Sequence, residues 1–296
     1  MCQKYISGLD YFVAKKVFVL KKIFVLATVW IFFGTIFSGC SPSGEKKTEV
    51  LRVGSDLDFP PFEFKEEGDT NYRGFDIDIA RAIAKDLNME PEFKQIEFDK
   101  LINDLESGKI DVIISGYSIT DERKTRVNFS SPYYESGLSV IVRADNADIK
   151  TGKDLAGKKV AVQAGSTAVD EVKKRGAKEI IELPTFEDCF DELKVGKIDA
   201  VVNDRPVNDY FLMKNGLSNL KSLDERLTSE DYGIAVAKNN PELLRKINDS
   251  LRKMKDSGEY QKIFDKWFVE IRTRPWARFD RRSGGGSDTQ IVNGNR

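Results

Sequence analysis

The sequence contains no histidine. That excludes His-based nucleophilic triads, His-ligated metals and imidazole acid–base catalysis. Cysteine is nearly as scarce. Cys2, Cys40 and Cys189 are too few and too scattered for a zinc site or a disulfide framework. Neither sign of charge is in excess over the whole chain, with 47 Lys and Arg against 48 Asp and Glu. The balance is uneven along the chain, however. Residues 1–22 carry five Lys and one Asp, residues 271–296 carry six Arg and two Asp, and each end is therefore +4. The total of −1 leaves −9 for residues 23–270. An acidic centre argues against nucleic acid as the partner, because phosphates need the opposite sign.

What is present is a globular composition, 40% hydrophobic and 32% charged, in a chain of 296 residues. That is room for one large domain or two ordinary ones. Long uncharged apolar runs are limited to residues 23–39. Lys15, Lys16, Lys21 and Lys22 precede this run, and Ser38-Gly39-Cys40 follow it. A basic stretch, an apolar stretch and small residues before a cut form a secretory signal, read here as residues 1–39. Cys40, immediately after the cut, is the expected lipid acceptor, and residues 40–49 form a polar tether. The basic stretch is long, so residues 1–16 are read as lying upstream of the true start. Residues 271–296 lack hydrophobic period and contain Gly-Gly-Gly-Ser, and are read as a disordered basic tail.

Between residues 50 and 270, β-rich runs alternate with helical patterns, which predicts an α/β fold with mainly parallel sheets. Strands are expected at 51–54, 110–115, 138–142, 159–162, 198–202 and 232–237. Helices are expected at 75–87, at about 167–175, and at 241–268 with a break near Gly258. One segment occurs twice. FDKLINDLESGKIDVII (98–114) aligns without gaps to FEDCFDELKVGKIDAVV (186–202) at an offset of 88. Phe98, Leu105, Gly108 and Lys109-Ile110-Asp111 coincide with Phe186, Leu193, Gly196 and Lys197-Ile198-Asp199. Each copy reads as a short helix, a glycine cap and a buried strand, so the chain is expected to form two similar lobes. Ligands of open α/β sheets sit beyond the carboxyl ends of strands. The two copies would therefore present Gly116 and Ser118 from one lobe, and Asp204 from the other, to a shared cleft.

The motifs VGSDLDFPPFEF (53–64), GFDIDIARAIAK (74–85), SGYSITDERK (115–124), NFSSPYYESG (128–137), AGSTA (164–168) and NDRP (203–206) occur in this order. In them the chain resembles the bacterial extracytoplasmic solute-binding proteins of the polar amino-acid group, the receptors of ABC importers. The resemblance covers about residues 50–270. It implies a type II periplasmic-binding-protein fold with a ligand cleft between lobes, 50–142 plus 232–270 forming lobe 1 and 143–231 lobe 2. It implies a free polar amino acid as ligand, with arginine or glutamine favoured, an ABC permease as partner, hinge closure as mechanism, and no cofactor or metal. The protein is expected to act as a monomer held to the membrane through Cys40.

The resemblance assigns Arg123 to the ligand's α-carboxylate, a role that suits a planar guanidinium fork. Thr167 opens a predicted helix and would assist at the same carboxylate. Asp204, Ser118 and the Gly116 carbonyl can accept from the α-ammonium. Phe59 and Phe98 resemble aromatic walls of the side-chain pocket. Asp56 would hold the far end of a polar or cationic side chain. Gln163 would leave that carboxylate without a neutralising charge, which tilts specificity toward glutamine or a cationic side chain. Two other classes compete. A dehydratase on this fold would need a cleft acid with a perturbed pKa; Glu171 and Glu182 lie in the second half, but no motif singles them out. A ligand-sensing subunit would need a separate output partner.

Overall fold

Two five-stranded sheets with the same strand plan organise the chain. A computed structural model describes residues 48–66, 68–215 and 219–272; the expected signal sequence, Cys40 and residues 273–296 lie outside these. The described residues belong to one compact unit that starts at Thr48. The first sheet holds β1 (Glu49–Ser55), β2 (Met89–Gln95), β3 (Val112–Ile113), β4 (Val127–Phe129) and β12 (Ala235–Ala237). Its order is β2-β1-β3-β12-β4. The second holds β6 (Leu138–Arg143), β7 (Lys159–Gln163), β8 (Glu179–Leu183), β9 (Ala200–Asp204) and β10 (Leu220–Ser222), in the order β8-β7-β9-β6-β10. In each sheet one strand, β12 or β6, opposes the other four, so half of the neighbour pairings are antiparallel. The sheets are thus mixed rather than mainly parallel in their pairing.

The opposing strands are those by which the chain enters a sheet after leaving the other. The first crossing runs through β5 (Tyr134–Ser136) and the second through β11 (Glu230–Tyr232), which pair with each other as a separate antiparallel ribbon. This corrects the expected division after residue 142. Residues 138–143 pair with β9 and β10 and belong to the second sheet. An apolar run looks the same in either sheet, and only the pairing partner decides.

Both faces of each sheet are covered, which is why the strands read as continuous apolar runs. Val160 and Val162 pack on one side with Ala168 and Val172 of α4 (Ala168–Lys174). Ala161 packs on the other with Phe186, Cys189 and Phe190 of α5 (Phe186–Lys194). In the first sheet, α1 (Phe75–Asp86) buries Phe75, Ile79, Ala80, Ile83 and Ala84, the face expected from spacing. On the opposite side, Leu101 and Leu105 of α2 (Leu101–Glu106) pack with Ile113 and Val127. Two further helices complete this half, Pro241–Asp256 and Glu259–Arg272, separated at Gly258 as expected. The second runs through Arg272, so the helical pattern extends two residues past the expected boundary at 270.

The duplicated segment is duplicated in its bonding too. Asp111 accepts from the Arg52 amide at 2.8 Å, and Asp199 accepts from the Lys159 amide at 2.9 Å. The amides of Asp111 and Asp199 return the bond to the same residues' carbonyls, both at 2.8 Å. Gly108 and Gly196 end the two helices at φ +74° and +75°, a conformation a Cβ disfavours.

Candidate functional site

The carboxyl ends of β1, β3, β7 and β9 converge between the two sheets, and the crossing ribbon lies beside them. Asp56 follows β1, Ser115 and Gly116 follow β3, Gln163 ends β7 and Asp204 ends β9. A cavity of about 530 Å³ opens here. Phe98 and Arg123 line it from the first half, Gly165 and Thr167 from the second, and Glu230 from the crossing ribbon.

Arg123 sits on the one-and-a-half-turn helix α3 (Asp121–Arg126). Thr120 caps this helix, its hydroxyl accepting the Arg123 amide at 3.1 Å. The guanidinium lies 3.9 Å from the Tyr117 ring centre and 5.4 Å from that of Phe98. It donates to the Ser118 carbonyl at 2.9 Å and across the cleft to the Gly165 carbonyl at 3.0 Å. Its remaining N–H groups stay available to a ligand carboxylate.

Thr167 stands at the start of α4. Its side chain makes no cap bond and instead donates to Glu230 at 2.8 Å. Asp204 is buried. Ser136 of the ribbon donates to it at 2.7 Å, and Tyr232 is a second hydrogen-bond partner. Burial, then the Glu230 charge, push the Asp204 carboxyl up to about 6, against the pull of those bonds. Ser118 and Gly116 are buried beside Arg123 and Tyr232. Gly116 takes φ +50°, and a Cβ there would meet the Phe59 ring at 3.1 Å and the Tyr232 ring at 3.3 Å.

Beneath the cavity, Asp56 is 6% exposed, and its Oδ2 accepts from Gln163 Nε2 at 2.6 Å. The two residues hold equivalent places in the two halves, just as Arg52 and Lys159 do. Burial pushes Asp56 up to about 6. Behind it, Ser115 donates to Glu63 at 2.7 Å, and Asp76 accepts from the Gly116 amide at 2.7 Å and from Tyr133 at 2.8 Å. Glu63 and Asp76 are wholly buried, and burial raises both carboxyls. This chain of groups fixes the backbone that carries Gly116.

Of the nine residues predicted from sequence, Phe98, Arg123 and Thr167 line the cavity, and Asp56, Gly116, Ser118, Gln163 and Asp204 are buried and stand outside its lining. Phe59 is buried rather than exposed on the cavity wall. It stacks on Phe62 at 6.0 Å and meets Phe186 edge-on at 5.8 Å. Phe186, the duplicate of Phe98, thus ties the second half to the first. Sequence reasoning missed Tyr117, Ser136, Glu230 and Tyr232, although Tyr117 and Ser136 lie inside quoted motifs. Glu171 also lines the cavity, but it is bonded to Arg175 at 2.8 Å, and Glu182 is exposed on β8.

A guanidinium and a hydroxyl at one end, a buried carboxylate beside them and a further carboxylate below suit a zwitterion with a polar side chain. The chain is similar to known amino-acid-binding proteins. The chain is 35% identical over 231 residues to ABC transporter arginine-binding protein 1 of Escherichia coli, covering 77% of this chain and 94% of the relative. It is 34% identical over 230 residues to an ABC transporter glutamine-binding protein of Bacillus subtilis, covering 76% and 83%. An ancestral arginine-binding protein has been solved with glutamine bound (TM-score 0.71, 49% identity, 74% and 97% covered). An ancestral arginine-binding protein has also been solved with arginine bound (TM-score 0.71, 48% identity, 74% and 98% covered). An ancestral amino acid-binding protein that is a precursor of cyclohexadienyl dehydratase has a TM-score of 0.69 at 40% identity, with 74% and 95% covered. The family described as bacterial extracellular solute-binding proteins, family 3, matches residues 51–270, and this two-lobed chain belongs to it.

Proposed function

We propose that the protein is an extracytoplasmic receptor that binds a polar amino acid, arginine or glutamine favoured, and delivers it to an ABC importer. The observation that carries this reading is the meeting of Arg123 and Thr167 on one cleft from the two halves of the chain, with Arg123 bonded across it to the Gly165 carbonyl. Arg123 holds the α-carboxylate with its free N–H groups, and the backbone N–H of Thr167 at the start of α4 assists, its hydroxyl being given to Glu230. Asp204, with Ser118 and the Gly116 carbonyl, accepts from the α-ammonium. Phe98 forms one wall of the side-chain pocket, and Phe59 backs Gly116 from below. Asp56, aimed by Gln163, meets the far end of the side chain.

Binding closes the halves about the β5–β11 ribbon. Ligand bonded to both halves favours the closed arrangement by its differential affinity. The closed form docks on the permease as a monomer, and lipidation at Cys40 after signal cleavage holds it to the membrane. The reading is of a receptor and not an enzyme. Glu171 is tied up by Arg175 and Glu182 points to solvent, which leaves the cleft without a free general acid in either predicted position.

A thermal-shift screen against the twenty amino acids, ornithine and cystine tests this. Ligand at 100 times its Kd adds about 2.7 kcal/mol, a clear rise in Tm. A shift with arginine, glutamine or another polar amino acid is expected. No shift with any of them after refolding to strip bound ligand, or turnover of a prephenate-like acid, overturns the reading.

A further inference from the structure

A second carboxyl lies against Asp56. Asp58 is two residues on, and Leu57 between them takes φ +63°, a left-handed turn that a side chain disfavours. The two carboxyls lie close enough to act on each other directly, and the Asp56 charge is the first influence after burial that raises Asp58. Two carboxyl oxygens can bond only with a proton between them. Asp58 Oδ1 is buried with no hydrogen-bond partner. The amide of Gln163 donates to Asp56 at 2.6 Å and to the Pro184 carbonyl at 3.1 Å, so this neighbour brings donors but no charge.

The charged groups that act most strongly on the pair are all acidic. They are Glu97 and Asp99 on either side of Phe98, and Glu187 and Asp188 at the start of α5; the pair in turn raises Glu63 behind Ser115. Burial and the Asp56 charge push Asp58 up to about 8. Phe98 and Gly165 line the cavity; Asp99 follows the first and lies against the second, and Gln163, which donates to Asp56, is two residues before Gly165.

We propose, resting on the amino-acid receptor reading, that Asp58 is a specificity residue: the Asp56–Asp58 pair keeps its shared proton for a neutral amide side chain and releases it to solvent to bind a guanidinium or ammonium. The charge balances. The pair with one proton carries −1; without it, the pair carries −2, and the incoming cation restores −1. Cationic amino acids therefore bind with release of up to one proton, and neutral ones do not.

The test is titration calorimetry of arginine and glutamine with the purified protein between about pH 6.5 and about pH 8.5, in two buffers of different ionisation heat. Arginine affinity is expected to rise with pH, by up to about tenfold per unit below the midpoint, with heats that differ between buffers. Glutamine affinity is expected to stay level and its heats to agree. In Asp58→Asn, which keeps the side-chain shape, the arginine heats become buffer-independent and the arginine-to-glutamine affinity ratio falls at least about tenfold. Arginine binding by the unaltered protein with no pH slope and no buffer dependence overturns the proposal while leaving the receptor reading intact. An unchanged ratio in Asp58→Asn does the same. If neither amino acid binds, the preference for arginine or glutamine falls and this proposal with it, while the thermal-shift screen over all the amino acids still decides the receptor reading.

Discussion

Thr167 donates its hydroxyl to Glu230 at 2.8 Å, and the other oxygen of that carboxylate accepts from Thr228 at 2.7 Å. The start of α4 is thereby tied to the strand on which the chain crosses between lobes. The Glu230 charge also raises Asp204, so one crossing-strand residue is bonded to one end of the proposed backbone subsite and acts electrostatically on the other.

Replacing Glu230 by Gln keeps an acceptor in place and removes the charge. Asp204, held up to about 6 by burial and then by Glu230, should titrate lower in Glu230→Gln. Ligand needs Asp204 ionised to accept from the α-ammonium, so affinity falls as pH drops through this value. In the variant that acid limb should move to lower pH. Glutamine affinity measured from about pH 4.5 to 7 reads it, and a limb that does not move removes Glu230 from the site.

Arg123→Ala should leave a ligand carboxylate poorly paired in the cleft, at a cost of about 2–5 kcal/mol. That is at least about a thirtyfold rise in Kd by calorimetry. Arg123→Lys should recover only part of the loss, because an ammonium cannot reproduce the fork. A Kd within twofold of the original in Arg123→Ala would show that the carboxylate binds elsewhere.

Gly137 sits where the chain leaves the ribbon for β6. A Cβ there would stand 2.1 Å from the Thr228 carbonyl of the other crossing segment, and that backbone atom cannot swing aside. Gly137→Ala should cost on the order of 1–3 kcal/mol of stability and weaken ligand binding through the displaced ribbon. Urea unfolding checks the first effect and calorimetry the second; an unchanged midpoint and Kd would mean that the ribbon yields freely.

Stability should fall as pH rises from about 4 to about 8 when no ligand is added. Asp56, Asp76, Asp204 and Asp209 are pushed up to about 6, Asp58 to about 8 and Glu63 well above its ordinary value, with burial the first cause in each. Through this range the folded chain holds more protons than the unfolded one, so the stabilisation is present at low pH and is lost as pH climbs through the folded values. Carboxyls held low by partners, such as Asp111 and Asp154, act below their ordinary values and outside this window. A Tm higher by several degrees at pH 5 than at pH 8 is expected, and equal values would contradict it.

Cys189 is buried and bonded to the Thr185 carbonyl at 3.5 Å, and burial pushes its thiol up to about 12. At pH 8 about one molecule in ten thousand carries the thiolate. Alkylation followed by peptide mapping should leave Cys189 unlabelled in the folded protein and labelled in urea. Rapid labelling of the folded protein would mean that α5 opens readily.

Features that depend on neighbours in the chain were legible. The apolar spacing of 75–87, the break at Gly258 and the copy at 98–114 and 186–202 each report a local face or cap. Features that depend on distant partners were not. The 138–143 run reads as a strand, but not as a strand of the second sheet. The ribbon strands are three residues each, too short to show a period. Asp76 lies on the buried face of α1, where its charge predicts exposure. It is tolerated there because Gly116 and Tyr133 donate to it, and both are forty or more residues away.

The sequence by itself determined the α/β class, the internal duplication and the motif residues that crowd the strand ends, because helix period, glycine caps and strand alternation are written within a dozen residues. Only the tertiary structure decided which sheet each strand joined, that Glu230 reaches Thr167, and that Gln163 reaches Asp56. These are meetings of segments tens to more than a hundred residues apart, 107 for Asp56 and Gln163, set by burial and pairing, and local patterning carries no trace of them.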